Sequence, residues 1–132
     1  MQNIKIKLET EISIERIKDL LCAAFEGGID YWGNVKSKIG LKDKLKAEYV
    51  HEIPALGGEL ILFDNETDEK LGILDMESMK QAFEYMAKGT DKNGKDVPQL
   101  KVHLKNFLDE NEDAITADVF VQLAVMGEIV FG

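Results

Sequence analysis

The first apolar residues of the chain alternate with charged ones over residues 4–8. A period of two predicts a strand with one buried face. After Ser13, a residue type that favours helix N-caps, the apolar spacing changes to three and four residues. This change predicts a helix that begins after Ser13 and stops at Gly27. Its apolar stripe comprises Ile14, Ile17, Leu21, Ala24 and Phe25.

Two short apolar runs occupy the middle of the chain, over residues 59–64 and 70–74, with the polar loop NETDE between them. Such a pair predicts a β-hairpin. Asp75 follows directly as an N-cap, which predicts a helix to about Lys88. Methionines 76, 79 and 86 recur on it at spacings of three or more, and they suit gap-filling core positions better than a peptide-binding groove.

Polar and glycine-rich residues 89–98 predict a loop, and a helix follows from about Pro98 to Asp109. The last predicted helix, about Ile115 to Met126, carries apolar residues around nearly its whole circumference. Such a helix is either central or part of an oligomer interface. The final residues, EIVFG, are compatible with a short strand.

These elements predict one α+β domain over residues 1–132. The small antiparallel sheet would consist of the N-terminal strand plus the hairpin, packed against about four helices. A hydrophobic content of 45% is enough to form a core in a chain of this length.

Charge narrows the classes of function. The formal net charge of −9 argues against nonspecific coating of nucleic acid, which depends on Lys and Arg. It favours solubility, a basic protein partner or mimicry of nucleic acid. Cys22 is the one cysteine, so no intramolecular disulfide forms. No stretch approaches the roughly 20 apolar residues of a membrane span. We therefore expect a soluble cytoplasmic protein that contacts no membrane.

The stretch EGGIDYWG, residues 26–33, places Tyr31 and Trp32 just before a basic segment. Aromatic rings beside ammonium groups suit a stacked nucleobase whose phosphates are bound. The alternative is that Trp32 fills the core while the lysines are solvated. The candidate ligand-binding residues are Tyr31, Trp32, Lys36, Lys38, Lys42 and Lys44.

Two acidic clusters are candidates for contact with a basic partner. They comprise Asp64, Glu66 and Asp68 in the hairpin loop, and Asp109, Glu110, Glu112 and Asp113 before the last helix. The first cluster also matches part of a calcium-binding loop, but Glu69 stands where that loop requires glycine. An acidic solvated turn is favoured there, and no metal is expected.

Asp118 and Gln122 lie four residues apart in the last predicted helix, on one face. A buried carboxylate needs hydrogen-bond or charge partners. Two explanations are open. The pair belongs to an internal hydrogen-bond network, or it specifies an oligomer interface such as that of a homodimer.

Catalytic motifs are absent from the sequence. His51 and Glu52 do not continue into the zinc-protease pattern, and no phosphate-binding glycine loop occurs. Cys22 lies among apolar residues of a predicted helix, which favours an inert core thiol. We expect neither enzymatic activity nor a cofactor.

Residues 20–33 (LLCAAFEGGIDYWG) and 109–132 (DENEDAITADVFVQLAVMGEIVFG), with a glycine-rich hairpin entry over residues 55–66, resemble a family of small uncharacterised bacteriophage and prophage proteins. The resemblance implies a phage origin and action inside a bacterial cell. It leads us to expect a non-enzymatic binding protein that counters host defence by binding a host protein or a nucleotide signal. The alternative is an accessory protein of phage DNA replication or recombination.

Overall fold

The computed structural model describes residues 3–4, 9–35 and 46–132. These residues form four α-helices and a three-stranded antiparallel sheet, so the predicted α+β fold is confirmed. The helices are α1 (Ile14–Ala23), α2 (Met76–Lys88), α3 (Gln99–Leu108) and α4 (Ala114–Met126), and the strands are β1 (Gly33–Val35), β2 (Leu60–Asp64) and β3 (Lys70–Leu74). A π turn, Ala24–Gly28, extends α1, and a 3₁₀ helix, Val50–Leu56, precedes β2.

The sheet has the order β1-β2-β3. The predicted hairpin is confirmed, with Leu60 opposite Leu74 and an irregularity in register between Leu62 and Phe63. The strand beside it is β1, directly after the EGGIDYWG stretch, where Gly33 pairs with Asp64. The strand predicted over residues 4–8 lies outside the described residues except for Ile4, which is not in a strand.

Local capping explains where the helices begin. The backbone N–H groups of Arg16, Ser78 and Thr116 donate to the side chains of Ser13, Asp75 and Asp113, respectively. Each cap satisfies one of the N–H groups that a helix leaves unpaired at its start. The predictions for the start of α1 and for α2 are confirmed, and α3 and α4 lie within one residue of their predicted bounds. The predicted end of the first helix, Gly27, falls in the π turn, because α1 itself ends at Ala23.

Helix α4 is the central element, as its apolar circumference predicts. Residues of α4 contact α1, α2, α3, β3 and the π turn. Its buried residues include Phe120, Val121 and Leu123. The core therefore lies around α4, between the sheet and the other helices. Within the ranges the structure describes, no helix combines the length and the apolar character needed to cross a membrane.

Gly72 of β3 lies directly against α4. A Cβ atom at this position would overlap the carbonyl oxygen and side chain of Val125. Backbone atoms cannot move aside as a flexible side chain can. Glycine is therefore needed here because the strand and the helix are in direct contact.

Gly72→Ala is expected to lower the free energy of unfolding by about 1–3 kcal/mol, because the added methyl group forces β3 and α4 apart. Gly33→Ala is the matched control, since its Cβ would meet nothing closer than 3.7 Å. Urea unfolding followed by circular dichroism measures both variants. Equal losses in the two would contradict the direct contact of β3 with α4.

Candidate functional site

The EGGIDYWG stretch lies against the start of α4. Gly28, at the end of the π turn, is buried, and a Cβ atom there would lie 2.8 Å from the carbonyl oxygen of Ala114. The missing side chain lets the two backbones approach each other. As a consequence, Tyr31 and Trp32 contact a side chain of α4 that lies one helical turn beyond Ala114.

The carboxylate of Asp118 accepts hydrogen bonds from both aromatic residues. The hydroxyl of Tyr31 donates to Oδ2 at 2.5 Å, and the indole Nε1 of Trp32 donates to Oδ1 at 2.7 Å. The side-chain amide of Gln122 also donates to Oδ1, at 2.9 Å. One half-buried carboxylate thus accepts three hydrogen bonds, which offset the cost of removing its charge from water.

This environment raises the pKa of Tyr31 to about 12 from an ordinary value of 10.0. Burial is the largest cause, followed by the hydrogen bond to Asp118 and the negative charge of that carboxylate. Because the pKa is raised, the neutral phenol contributes its full stability below pH 10. That contribution is lost as the pH rises towards about 12.

Gln122 connects α4 to residues 128–132. Its Oε1 accepts from the backbone N–H groups of Val130 and Phe131 at 2.8 and 2.9 Å, and its Nε2 donates to the carbonyl of Phe131 at 3.1 Å. The Phe131 ring stacks on Trp32, with centroids 5.2 Å apart and planes 7° from parallel. The predicted short strand over EIVFG is therefore wrong, because a side chain of α4 takes the backbone bonds that a neighbouring strand would supply.

Of the two alternatives for Trp32, the structure places the residue in the core. Its side chain is 2% exposed and Phe131 stacks on its ring, so a nucleobase could not stack there without displacing Phe131. Tyr31 is 56% exposed, but its hydroxyl is bound to Asp118. The other predicted ligand residues, Lys36, Lys38, Lys42 and Lys44, lie outside the described residues.

For Asp118 and Gln122, an internal network is the arrangement observed. Their hydrogen bonds go to Tyr31, Trp32 and the backbone of residues 130–131 of the same chain. Gln122 is 1% exposed, and its amide atoms are occupied. A role of this pair in a homodimer interface remains a prediction.

The acidic residues of the hairpin loop differ in their surroundings. Oδ1 of Asp64 accepts from the backbone N–H groups of Glu66 and Thr67, at 2.7 and 3.2 Å, which holds the turn. Glu66 and Asp68 are exposed. Among the described residues, no cluster of three or more His, Cys, Asp or Glu side chains is placed to hold a metal ion.

The acidic run before α4 is largely committed to contacts within the chain. Glu112 is the clearest case, since its side chain is 11% exposed and bonds to Arg16 at 2.7 Å. Asp113 caps α4, Asp109 pairs with Lys105 at 2.6 Å, and Glu110 lies 3.9 Å from Arg16. Glu112 and Asp113 therefore already stabilise the junction of α1, α3 and α4, and their role as partner contacts stays a prediction.

Both carboxylates have perturbed ionisation. Arg16 holds the pKa of Glu112 below its usual range, and the backbone N–H of Thr116 holds that of Asp113 below its own. A lowered folded-state pKa means that the stabilisation is present above the pKa of the unfolded chain. It is lost as the pH falls through the folded-state pKa.

Cys22 and the two histidines each have separate contacts in the structure. Burial, followed by the hydrogen bond to Glu26, raises the pKa of the Cys22 thiol, which disfavours the thiolate. His51 stacks on Tyr49 with ring centroids 5.5 Å apart. His103 contacts the hydroxyl of Thr116 at 2.9 Å.

A groove of about 830 Å³ opens between residues 9–12 and helices α1, α2 and α3. We call it the acid-rimmed groove. Its apolar floor and ends are formed by Ile17, Met76, Met79, Phe83, Leu104 and Leu108, and its rim carries Glu9, Glu11, Glu77, Lys80 and Glu84. A smaller pocket adjoins it and shares Glu11, Ile12 and Leu108 with it, and this pocket is also lined by Asp109 and Glu110.

The prediction that the methionines of α2 fill core positions holds for two of them. Met79 and Met86 are buried, at 1% and 0% exposed, whereas Met76 is 40% exposed at one end of the groove. Sequence reasoning missed the groove because residues from four separate segments form it. One signal of the groove was present in the sequence. Glu77, Lys80 and Glu84 recur at helical spacing beside the apolar stripe of α2.

Comparison of the chain with protein-family models, with curated proteins and with solved structures gave no match. The geometry of the described residues is therefore the basis for the function proposed below.

Asp118→Ala is expected to lower the free energy of unfolding by about 2–4 kcal/mol, because it leaves three donors without their acceptor. It should also move the pKa of Tyr31 from about 12 towards 10.0, which ultraviolet absorbance follows during an alkaline titration. Asp30→Ala, at an exposed position beside Tyr31, is the control and should change stability by less than about 0.5 kcal/mol. A similarly small loss in Asp118→Ala would show that the carboxylate does not hold the network together.

Proposed function

We propose that the chain is a non-enzymatic, phage-encoded binding protein that acts in the bacterial cytoplasm on a host or phage protein. Countering host defence is the most concrete form of this role. The resemblance of residues 20–33 and 109–132 to phage and prophage proteins supports the origin. The observation that carries the binding role is the acid-rimmed groove.

The groove has the character of a protein-binding surface because apolar side chains remain exposed at its ends. Met76 and Leu108 are 40% and 45% exposed. Exposed apolar surface that is bordered by charged residues is typical of interaction sites. The net charge of −9 adds a long-range attraction for a basic partner.

A protein partner is favoured over a nucleotide signal. The indole ring proposed for base stacking is covered by Phe131, with 5.2 Å between the ring centroids. Of the described residues that line the groove, Lys80 is the one cation and four are glutamates. Phosphate groups would meet a predominantly negative rim, which opposes their binding.

Affinity capture from bacterial cells tests the proposal. Wild-type protein should retain a specific partner, and the double variant Glu11→Lys/Glu84→Lys should lose most of it, because both changes reverse charge at exposed rim positions. Quantitative mass spectrometry measures the difference. The retained amount should also fall as salt rises from about 0.1 to 0.5 M, since exposed charges are screened.

The matched control is Glu66→Lys/Glu69→Lys, which makes the same charge change in the exposed hairpin loop. It should retain the partner. Loss in this control but not in the groove variant would move the binding surface to the hairpin loop. A nucleotide that raises the melting temperature, with no groove-dependent protein captured, would overturn the protein-binding role.

A further inference from the structure

The floor of the acid-rimmed groove is held rigidly by the core. Phe83 of α2 lies 4.6 Å from Phe120 of α4 and 5.5 Å from Phe107 of α3, measured between ring centroids. The guanidinium of Arg16, from α1, lies 4.8 Å from the centroid of the Phe107 ring. These contacts fix α1, α2 and α3 relative to one another. The groove is therefore formed before any partner arrives, which lowers the entropy cost of binding.

The rim carries unbalanced negative charge. Glu9, Glu11, Glu77 and Glu84 are exposed, and none of them forms an ion pair with another residue in the described part of the chain. Lys80 is the single cation among the described residues that line the groove. In the adjoining pocket Glu110 is 3.9 Å from Arg16 and 74% exposed, so it adds to the negative field. A partner that places cations along this rim gains attraction without breaking an existing pair.

The floor also restricts the backbone conformation of the partner. Side chains of α1, α2 and α3 form it, and backbone groups inside these helices are already hydrogen-bonded along the helix. A partner strand lying on this floor would find no backbone groups there to pair with. A helix satisfies its own backbone and needs only an apolar stripe.

The ends and sides of the groove match such a helix. Met76 at one end has a flexible side chain that adapts to different apolar surfaces. Along α2, Glu77, Lys80 and Glu84 are three and four residues apart and form one edge. Glu9 and Glu11, from the segment before α1, also line the groove. The apolar side chains of the groove are thus accompanied by carboxylates from two separate segments of the chain.

We propose that the acid-rimmed groove binds a cationic amphipathic α-helix, with the apolar stripe of that helix on Met79, Phe83 and Leu104 and its Lys or Arg residues beside the glutamates. This assignment rests on the proposed protein-binding function and specifies the chemistry of the partner. The occupant is a segment of another protein.

The probe is a fluorescently labelled synthetic peptide of leucine and lysine, about 18 residues or five helical turns long, with the two residue types on opposite faces. Its control has the same composition in an order that disperses the leucines around the helix. Fluorescence anisotropy measures binding to the wild-type chain, and circular dichroism measures peptide helicity. We expect the amphipathic peptide to bind at least about tenfold more tightly than the control and to become helical on binding.

Variants of the protein separate groove binding from general attraction. Glu11→Lys/Glu84→Lys and Leu108→Ser should each weaken binding by about tenfold or more. The matched controls are Glu66→Lys/Glu69→Lys for charge and Val102→Ser for an exposed apolar residue of α3, 49% exposed and outside the groove. Each control should change affinity by less than about twofold. Equal weakening by the charge control would show that only net charge attracts the peptide, which overturns the proposal.

Two other occupants have distinct signatures. Concentration-dependent dimerisation that Leu108→Ser abolishes and Val102→Ser preserves would assign the groove to a second copy of this chain. Markedly tighter peptide binding after removal of residues 1–8 would assign it to the chain's own N-terminal residues. Either result overturns the proposal. If the peptide fails to bind while groove-dependent protein capture persists, the helix assignment fails and the proposed function stands.

Discussion

The hydrogen bonds that the carboxylate of Asp118 accepts are the interactions on which the rest of the structure depends. This carboxylate accepts hydrogen bonds from Tyr31, Trp32 and Gln122, and Gln122 in turn binds the backbone of residues 130–131. A charge placed among apolar helices is costly unless such donors surround it. Because Tyr31 and Trp32 are distant from Asp118 in the sequence, their hydrogen bonds join the EGGIDYWG stretch to the central helix. Gln122 joins the end of the chain to the same helix.

This internal use of polar groups determines which surface remains for binding. Trp32 of the EGGIDYWG stretch already forms contacts with α4 and with Phe131. Glu112 and Asp113 are occupied by Arg16 and by the first turn of α4. The glutamates around the acid-rimmed groove have no such partners in the described ranges, and they border apolar side chains. In the described part of the chain, the groove is thus a place where charged and apolar side chains lie together.

Sequence reasoning succeeded where the signal is local. Ser13, Asp75 and the hairpin were predictable because a cap or a turn involves residues only two or three positions apart. The role of Trp32 was not, because its hydrogen bond crosses 86 positions to Asp118. Strand β1 was missed since its three residues, Gly33–Val35, carry little apolar alternation. The groove was missed because it depends on how three helices are oriented.

The central claim is that the Asp118 network is internal and that the acid-rimmed groove is the binding surface. Nuclear magnetic resonance of the ¹⁵N-labelled chain, titrated with the cationic amphipathic peptide, tests both parts at once. The account predicts that backbone signals of residues 9–12, of the groove-facing residues of α2 and of Leu108 change, while the indole N–H signal of Trp32 stays fixed. The largest changes at Trp32 and residues 128–132, with the groove signals unchanged, would contradict it.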